Sequence, residues 1–145
     1  MHVRAASLGL LLLAATACGK EVGRIKMIGE GNGAAALALN AGEIDFWTDL
    51  DLTYEGDATL EYKIELYQGG SKVGTTECNP LGNLPSKLNW VETNIGNSHS
   101  RRGSGKMTCS AKLSSAGETT VKTTLAFGKR PTTVTLKKAD LVIRQ

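Results

Sequence analysis

Two stretches of this chain alternate so strictly between apolar and polar side chains that only an extended backbone accommodates them. From Ile44 to Tyr54, residues Ile44, Phe46, Leu50, Leu52 and Tyr54 share one parity, while Asp45, Asp49, Asp51 and then Glu55 share the other. The pattern returns in Leu60, Tyr62, Ile64 and Leu66 against Glu61, Lys63 and Glu65. Successive side chains of a strand point to opposite faces, so each run describes a strand with one buried and one solvated surface. Helical periodicity is nearly absent after residue 18, and short period-two runs recur between clusters of Gly, Asn, Asp and Ser. Further strands are expected at 24–28, 34–41, 71–78, 87–91, 106–114, 119–127, 132–136 and 139–144. The 34–41 segment is rich in the helix formers Ala and Leu, but it is only about two turns long and lies between Gly33 and Gly42, so it reads as a strand.

Nine or ten short strands must bury their apolar faces against one another. The expected fold is therefore all-β, a two-sheet antiparallel sandwich of jelly-roll or immunoglobulin-like type, forming a single domain over 24–145. Two connections suggest hairpins. A three-residue loop Ser115-Ala116-Gly117 keeps core faces in register, with Cys109 opposite Thr123 and Ala111 opposite Val121. At Gly69-Gly70, a two-residue loop pairs Leu66 with Val73 but turns Cys78 outward. Adding Gln68 to the loop turns Cys78 inward opposite Leu60 and loses Val73; a bulge reconciles both demands.

The first residues read differently. Arg4 precedes an apolar run, Leu8 to Leu13, that is far shorter than the ~20 residues needed to span a bilayer. Ala15-Thr16-Ala17 then supply the small residues of a cleavage site, immediately before Cys18. This segment resembles bacterial lipoprotein signals, although Ala15 stands where leucine is usual. The resemblance covers only the first eighteen residues. It implies removal of residues 1–17, lipid (palmitate-type acyl chains) on Cys18, and a lipid-proximal tether over 18–23. Gly19 in place of aspartate implies sorting to the outer membrane. With Cys18 so used, two of the three cysteines remain, and Cys78 and Cys109 are expected to pair in an oxidising compartment.

Candidates for chemistry are few. The mature chain has one histidine, His99, and a Gly29-Glu30-Gly31-Asn32-Gly33 series that lacks the spacing of a dinucleotide fingerprint. Asp45, Asp49 and Asp51 stand along a strand, which spreads carboxylates in a row and does not converge them on a metal. No metal, cofactor, catalytic residue or nucleic-acid partner is expected; the formal net charge is only +3. Residues 18–66 carry four basic and ten acidic side chains, and residues 67–145 carry twelve basic and four acidic. Cross-strand pairing is the expected outcome, with strands such as those bearing Lys112 and Lys122 facing acidic ones.

The polar stretch from Thr93 to Lys106 reads as a long loop bearing His99, Arg101, Arg102 and Lys106, a candidate binding loop for an acidic partner. Trp47 falls on the polar parity of its strand and, with Tyr67, offers a candidate sugar platform; Trp90, two residues after Leu88, is expected in the core. The chain thus reads as a membrane-anchored, non-catalytic binding or structural module for an envelope protein or polysaccharide. The alternative is a carbohydrate-binding module.

Overall fold

The computed structural model describes residues 19–145. The expected leader and the lipid site Cys18 lie outside the described residues. Nine strands are present among them: β1 (Glu21–Ile25), β2 (Gly31–Leu39), β3 (Gly42–Glu55), β4 (Thr59–Gln68), β5 (Ser71–Cys78), β6 (Ser86–Ile95), β7 (Ser98–Leu113), β8 (Gly117–Lys129) and β9 (Thr133–Arg144). They form an antiparallel five-stranded sheet, β1-β9-β3-β7-β6, packed on an antiparallel four-stranded sheet, β2-β8-β4-β5. The Ala-rich segment is a strand, as its short length requires. The two C-terminal strands expected at 132–136 and 139–144 are one, bent by a bulge that leaves Lys137 unpaired.

The pairing pattern identifies the topology. β1 pairs with β9, β2 with β8, β3 with β7, and β4 with β5. The chain is thus one long antiparallel ribbon folded back at the β4–β5 turn, and the ribbon wraps so that β3 meets β9 and β4 meets β8. That winding is a jelly roll, with β6 added at one edge. It corrects the expected 115–117 hairpin: β7 and β8 belong to different sheets, so Cys109 does not face Thr123. Val121 pairs with Ala35 and Leu66, and Ala111 with Ile44.

The Gly69-Gly70 turn has two residues, both at positive φ (56° and 79°), followed by a bulge that leaves Val73 out and brings Cys78 inward opposite Tyr62. Cys78 and Cys109 form a disulfide that joins the edge strand of the smaller sheet to β7 of the larger. Strand pairing starts at Glu21, and the backbones of Lys20 and Gln145 exchange two hydrogen bonds of 3.0 Å, so order reaches into the expected tether.

The alternating runs of β3 and β4 supply the core. Ile44, Phe46, Leu52, Tyr62, Ile64 and Leu66 are fully buried, together with Met107, Leu141 and Ile143. Thr48 and Tyr62 also point inward. Tyr62 donates to the Ala139 carbonyl at 2.9 Å and its oxygen lies 2.9 Å from that of Thr48. One phenolic proton serves one acceptor, so Thr48 donates to Tyr62. The chain of three groups links β3, β4 and β9 across the sandwich. Burial pushes the Tyr62 phenol well above its ordinary pKa, against the hydrogen bond from Thr48.

Candidate functional site

The stretch from Thr93 to Lys106 is not a loop. It is the end of β6, a turn at Gly96-Asn97 and the first half of β7. Its cations divide between two faces because they stand on a strand. His99 and Arg101 share the inward parity: the His99 ring lies 5.0 Å from that of Tyr54, its Nδ1 is 2.7 Å from Asn94 Oδ1, and Arg101 Nε is 2.8 Å from Glu92. Arg102 and Lys106 point outward, 3.6 Å from Asp51 and 3.3 Å from Asp45. Four residues expected to converge on a ligand are engaged separately.

The sugar platform is also corrected. Trp47 stands on the outer face of the five-stranded sheet, yet it is only 5% exposed because Val142 flanks it and the Arg144 guanidinium covers its ring at 4.7 Å. Tyr67 lies on the outer face of the other sheet, with the sandwich between the two rings. Trp90 is half-buried against the core, whereas Leu88 points outward. A bulge at Asn89-Trp90, with Asn89 at φ 51°, separates them, since Leu88 pairs with Ser104 and Val91 with Arg102.

Beside Trp47, the aspartate row is neutralised by neighbours on adjacent strands. Arg24 reaches Asp49 at 2.9 Å, Asp140 at 3.0 Å and Glu21 at 2.9 Å. Asp140 spends its other oxygen on the Met27 amide, and Lys138 lies 3.5 Å from Asp49. The hydrogen bond that Arg24 donates to Glu21 leads the interactions that raise the Arg24 pKa. Cross-strand compensation is therefore real: Arg24, Arg102, Lys106 and Lys138 lie against the aspartates, and Lys112 and Lys122 stand opposite Glu43 and Glu65. Among the described residues, no group of three or more His, Cys, Asp or Glu is placed to hold a metal.

The surface that sequence reasoning missed is the outer face of the four-stranded sheet. Three hollows of about 340, 580 and 320 Å³ adjoin along β8 and β4, sharing Lys122 between the first two and Lys63 and Thr124 between the last two. They form one shallow trough running from Tyr67 to Glu61, roughly 20 Å at the rise of a strand. Its shape follows from small side chains: Ala34, Ala36 and Asn32 on β2 stand opposite Lys122, Thr120 and Thr124 on β8. Thr124 donates to Asn32 Oδ1 at 2.8 Å.

On β4, Tyr67 donates to Glu65, and Lys72 lies 3.6 Å from the same carboxylate. Tyr67 first, then Lys72, holds the Glu65 carboxyl below its ordinary pKa, and Glu65 in turn raises the Tyr67 phenol. Lys122 places its ammonium 4.7 Å over the Tyr67 ring. The trough thus offers hydroxyl, amide, ammonium and carboxylate groups in alternation along two strands. The only hint of it in the sequence is the outward parity of Ala34, Ala36 and Ala38, which has no meaning until β2 is paired with β8. No family model matches the chain, and none of the curated proteins is similar to it.

Proposed function

We propose that the protein is a lipid-anchored, non-catalytic binding module of the bacterial envelope, with the trough of the four-stranded sheet as its ligand face. The observation that carries this reading is the continuity of the trough, which presents donors and acceptors along about 20 Å without a convergent catalytic group. His99 is held by Asn94 and Tyr54, and Cys78 and Cys109 are joined to each other. The signal-like segment before Cys18 supports the anchor. Lys20, two residues after Cys18, is already bonded to Gln145, which supports a domain held close to the membrane. Intact mass of the membrane-extracted protein tests this part, with residues 1–17 lost and acyl mass gained; a free Cys18 thiol in a soluble periplasmic form refutes it.

Carbohydrate binding is the second reading, favoured by the Thr120 hydroxyl beside the Tyr67 ring and by the hydroxyl and amide groups of Thr124 and Asn32 farther along the trough. Co-sedimentation with purified peptidoglycan and with envelope polysaccharide separates the two. On the carbohydrate reading, Asn32→Ala with Tyr67→Ala abolishes retention and Trp47→Phe leaves it intact. Retention unaffected by the trough substitutions removes the trough from both readings.

A further inference from the structure

The sheet order leaves one strand without cover. β1 packs on β2 at one side of the sandwich and β7 packs on β5 at the other, so β6, beyond β7, overhangs the smaller sheet. Beneath it lies the connection between β5 and β6, where Leu81 and Leu84 meet Trp90. On its free side β6 bonds to no strand among the described residues. This edge is also apolar. Of the six exposed large hydrophobic residues in the described chain, three stand on β6: Leu88 (52% exposed), Val91 (59%) and Ile95 (73%). Their partners on β7 are Ser104, Arg102 and Ser98, which puts all three on the outer face. Natural edges are blunted with charges, prolines or brevity. The outward residues of β6 beyond its bulge are Val91, Thr93 and Ile95, with no charge among them.

From this pattern we infer that β6 pairs antiparallel with β6 of a second copy, about a dyad through Thr93. The bulge at Asn89-Trp90 confines the regular edge to Val91–Ile95. In that register Val91 faces Ile95 of the second copy, twice by symmetry, and Glu92 faces Asn94. Moving the dyad to Glu92 opposes two like charges. Moving it by half a residue sets outward side chains against inward ones. Of the registers that pair three or more residues of this edge, only the Thr93 dyad joins apolar to apolar and opposes no like charges.

The orientation has a consequence. Ile95 lies at the end of the sandwich that holds Glu55 and Gly56, whereas Lys20 and Gln145 lie at the other end. Copies related by the dyad overlap at their far ends and carry their N-termini at opposite extremes. Given the proposed anchor, on which this consequence alone rests, the pair joins molecules on facing membranes and not neighbours in one. Five residues per copy bury far less than the roughly 800 Å² per partner of a stable complex. Each contact is weak, and many between apposed surfaces act together.

Thr93→Cys in the full chain, extracted from membranes in detergent and mildly oxidised, is expected to give a covalent dimer on non-reducing electrophoresis. Adding Val91→Lys and Ile95→Lys lowers that yield about tenfold. Thr75→Cys, on β5 at the edge of the smaller sheet, stays monomeric. The dyad is overturned if the Thr93→Cys dimer is absent, if Thr75→Cys dimerises equally, or if the lysines leave the yield unchanged while circular dichroism is native. For the facing arrangement, Thr93→Cys is loaded into two separately labelled phosphatidylethanolamine–phosphatidylglycerol vesicle populations. Cross-links between populations support it, and cross-links confined to one population overturn it. Failure of the chain to load into vesicles refutes the anchor and leaves the detergent result for the dyad standing.

Discussion

Removing the Cys78–Cys109 disulfide isolates what holds the two sheets together at the β5–β7 side. The cysteines are 31 residues apart in sequence, with their Cα atoms 5.3 Å apart in the fold. In the chain-entropy relation, releasing a loop of that length returns about 3.5–4 kcal/mol of freedom to the unfolded chain. Cys78 is 2% exposed, so Cys78→Ala adds a small cavity cost of about 1 kcal/mol. For a domain whose total stability is on the order of 5–15 kcal/mol, the loss is large without being fatal. It corresponds to a drop of about 10–20 °C in Tm for a chain of this size. Thermal melts followed by far-UV circular dichroism should show that drop in Cys78→Ala/Cys109→Ala, and a slightly smaller one in the reduced native protein. Hydrogen exchange should quicken first in β5 and β6, which depend on this staple, and last in β3 and β9 at the centre of the larger sheet. A Tm within about 3 °C of the oxidised protein in both cases refutes the entropic account.

Tyr62→Phe orphans the buried Thr48 hydroxyl and removes the bond to Ala139, at a cost of about 1–3 kcal/mol measurable as a lower urea midpoint. The raised phenol pKa of Tyr62 means that the folded chain keeps a proton the unfolded chain loses above about pH 10, so this contribution is complete below that pH and falls as pH rises; Tyr62→Phe flattens the alkaline limb, and an unchanged limb refutes the assignment. Gly103→Ala forces a Cβ to 2.5 Å from the Asn89 carbonyl oxygen at a φ of 132°, and is expected to cost more than about 2 kcal/mol by denaturant titration, whereas Gly29→Ala, with open space around it, is expected to be nearly neutral. Arg24→Met leaves Asp140 and Asp49 without their shared cation and costs about 1–2 kcal/mol after allowance for solvent at the half-buried guanidinium. Arg102→Ala breaks a long, exposed pair with Asp51 and should change the melting curve by less than about 1 kcal/mol.

The strands that were easiest to read are those with one face in the core and one in water. β3 and β4 announce themselves because burial differs between their two faces, and burial is what writes alternation into a sequence. The end of β6 from Thr93 and the first half of β7 carry no such signal. β6 overhangs the smaller sheet, so burial does not force alternation on it, and Thr93 to Lys106 reads as a loop. Trp47 was misplaced for the opposite reason. Its parity is correct, but its burial comes from Val142 and Arg144, nearly a hundred residues later.

At Gly69-Gly70 the sequence left a two-residue and a three-residue loop open, and the fold took the two-residue turn with a bulge at Val73. The sequence by itself determined the all-β class, the inward residues of β3 and β4, and the pairing of Cys78 with Cys109. Each follows from local geometry or from counting. Tertiary structure alone decided which strands share a sheet, because the turn residues Ser115-Ala116-Gly117 suit a hairpin and a crossing between sheets equally well. The wrapped ribbon chose the crossing, since β8 buries its apolar face between β2 and β4, and β7 buries its own beside β3. The trough was decided at the same level. It exists only where the small outward residues of β2 lie beside the hydroxyls of β8, a juxtaposition of residues about ninety positions apart that no local pattern encodes.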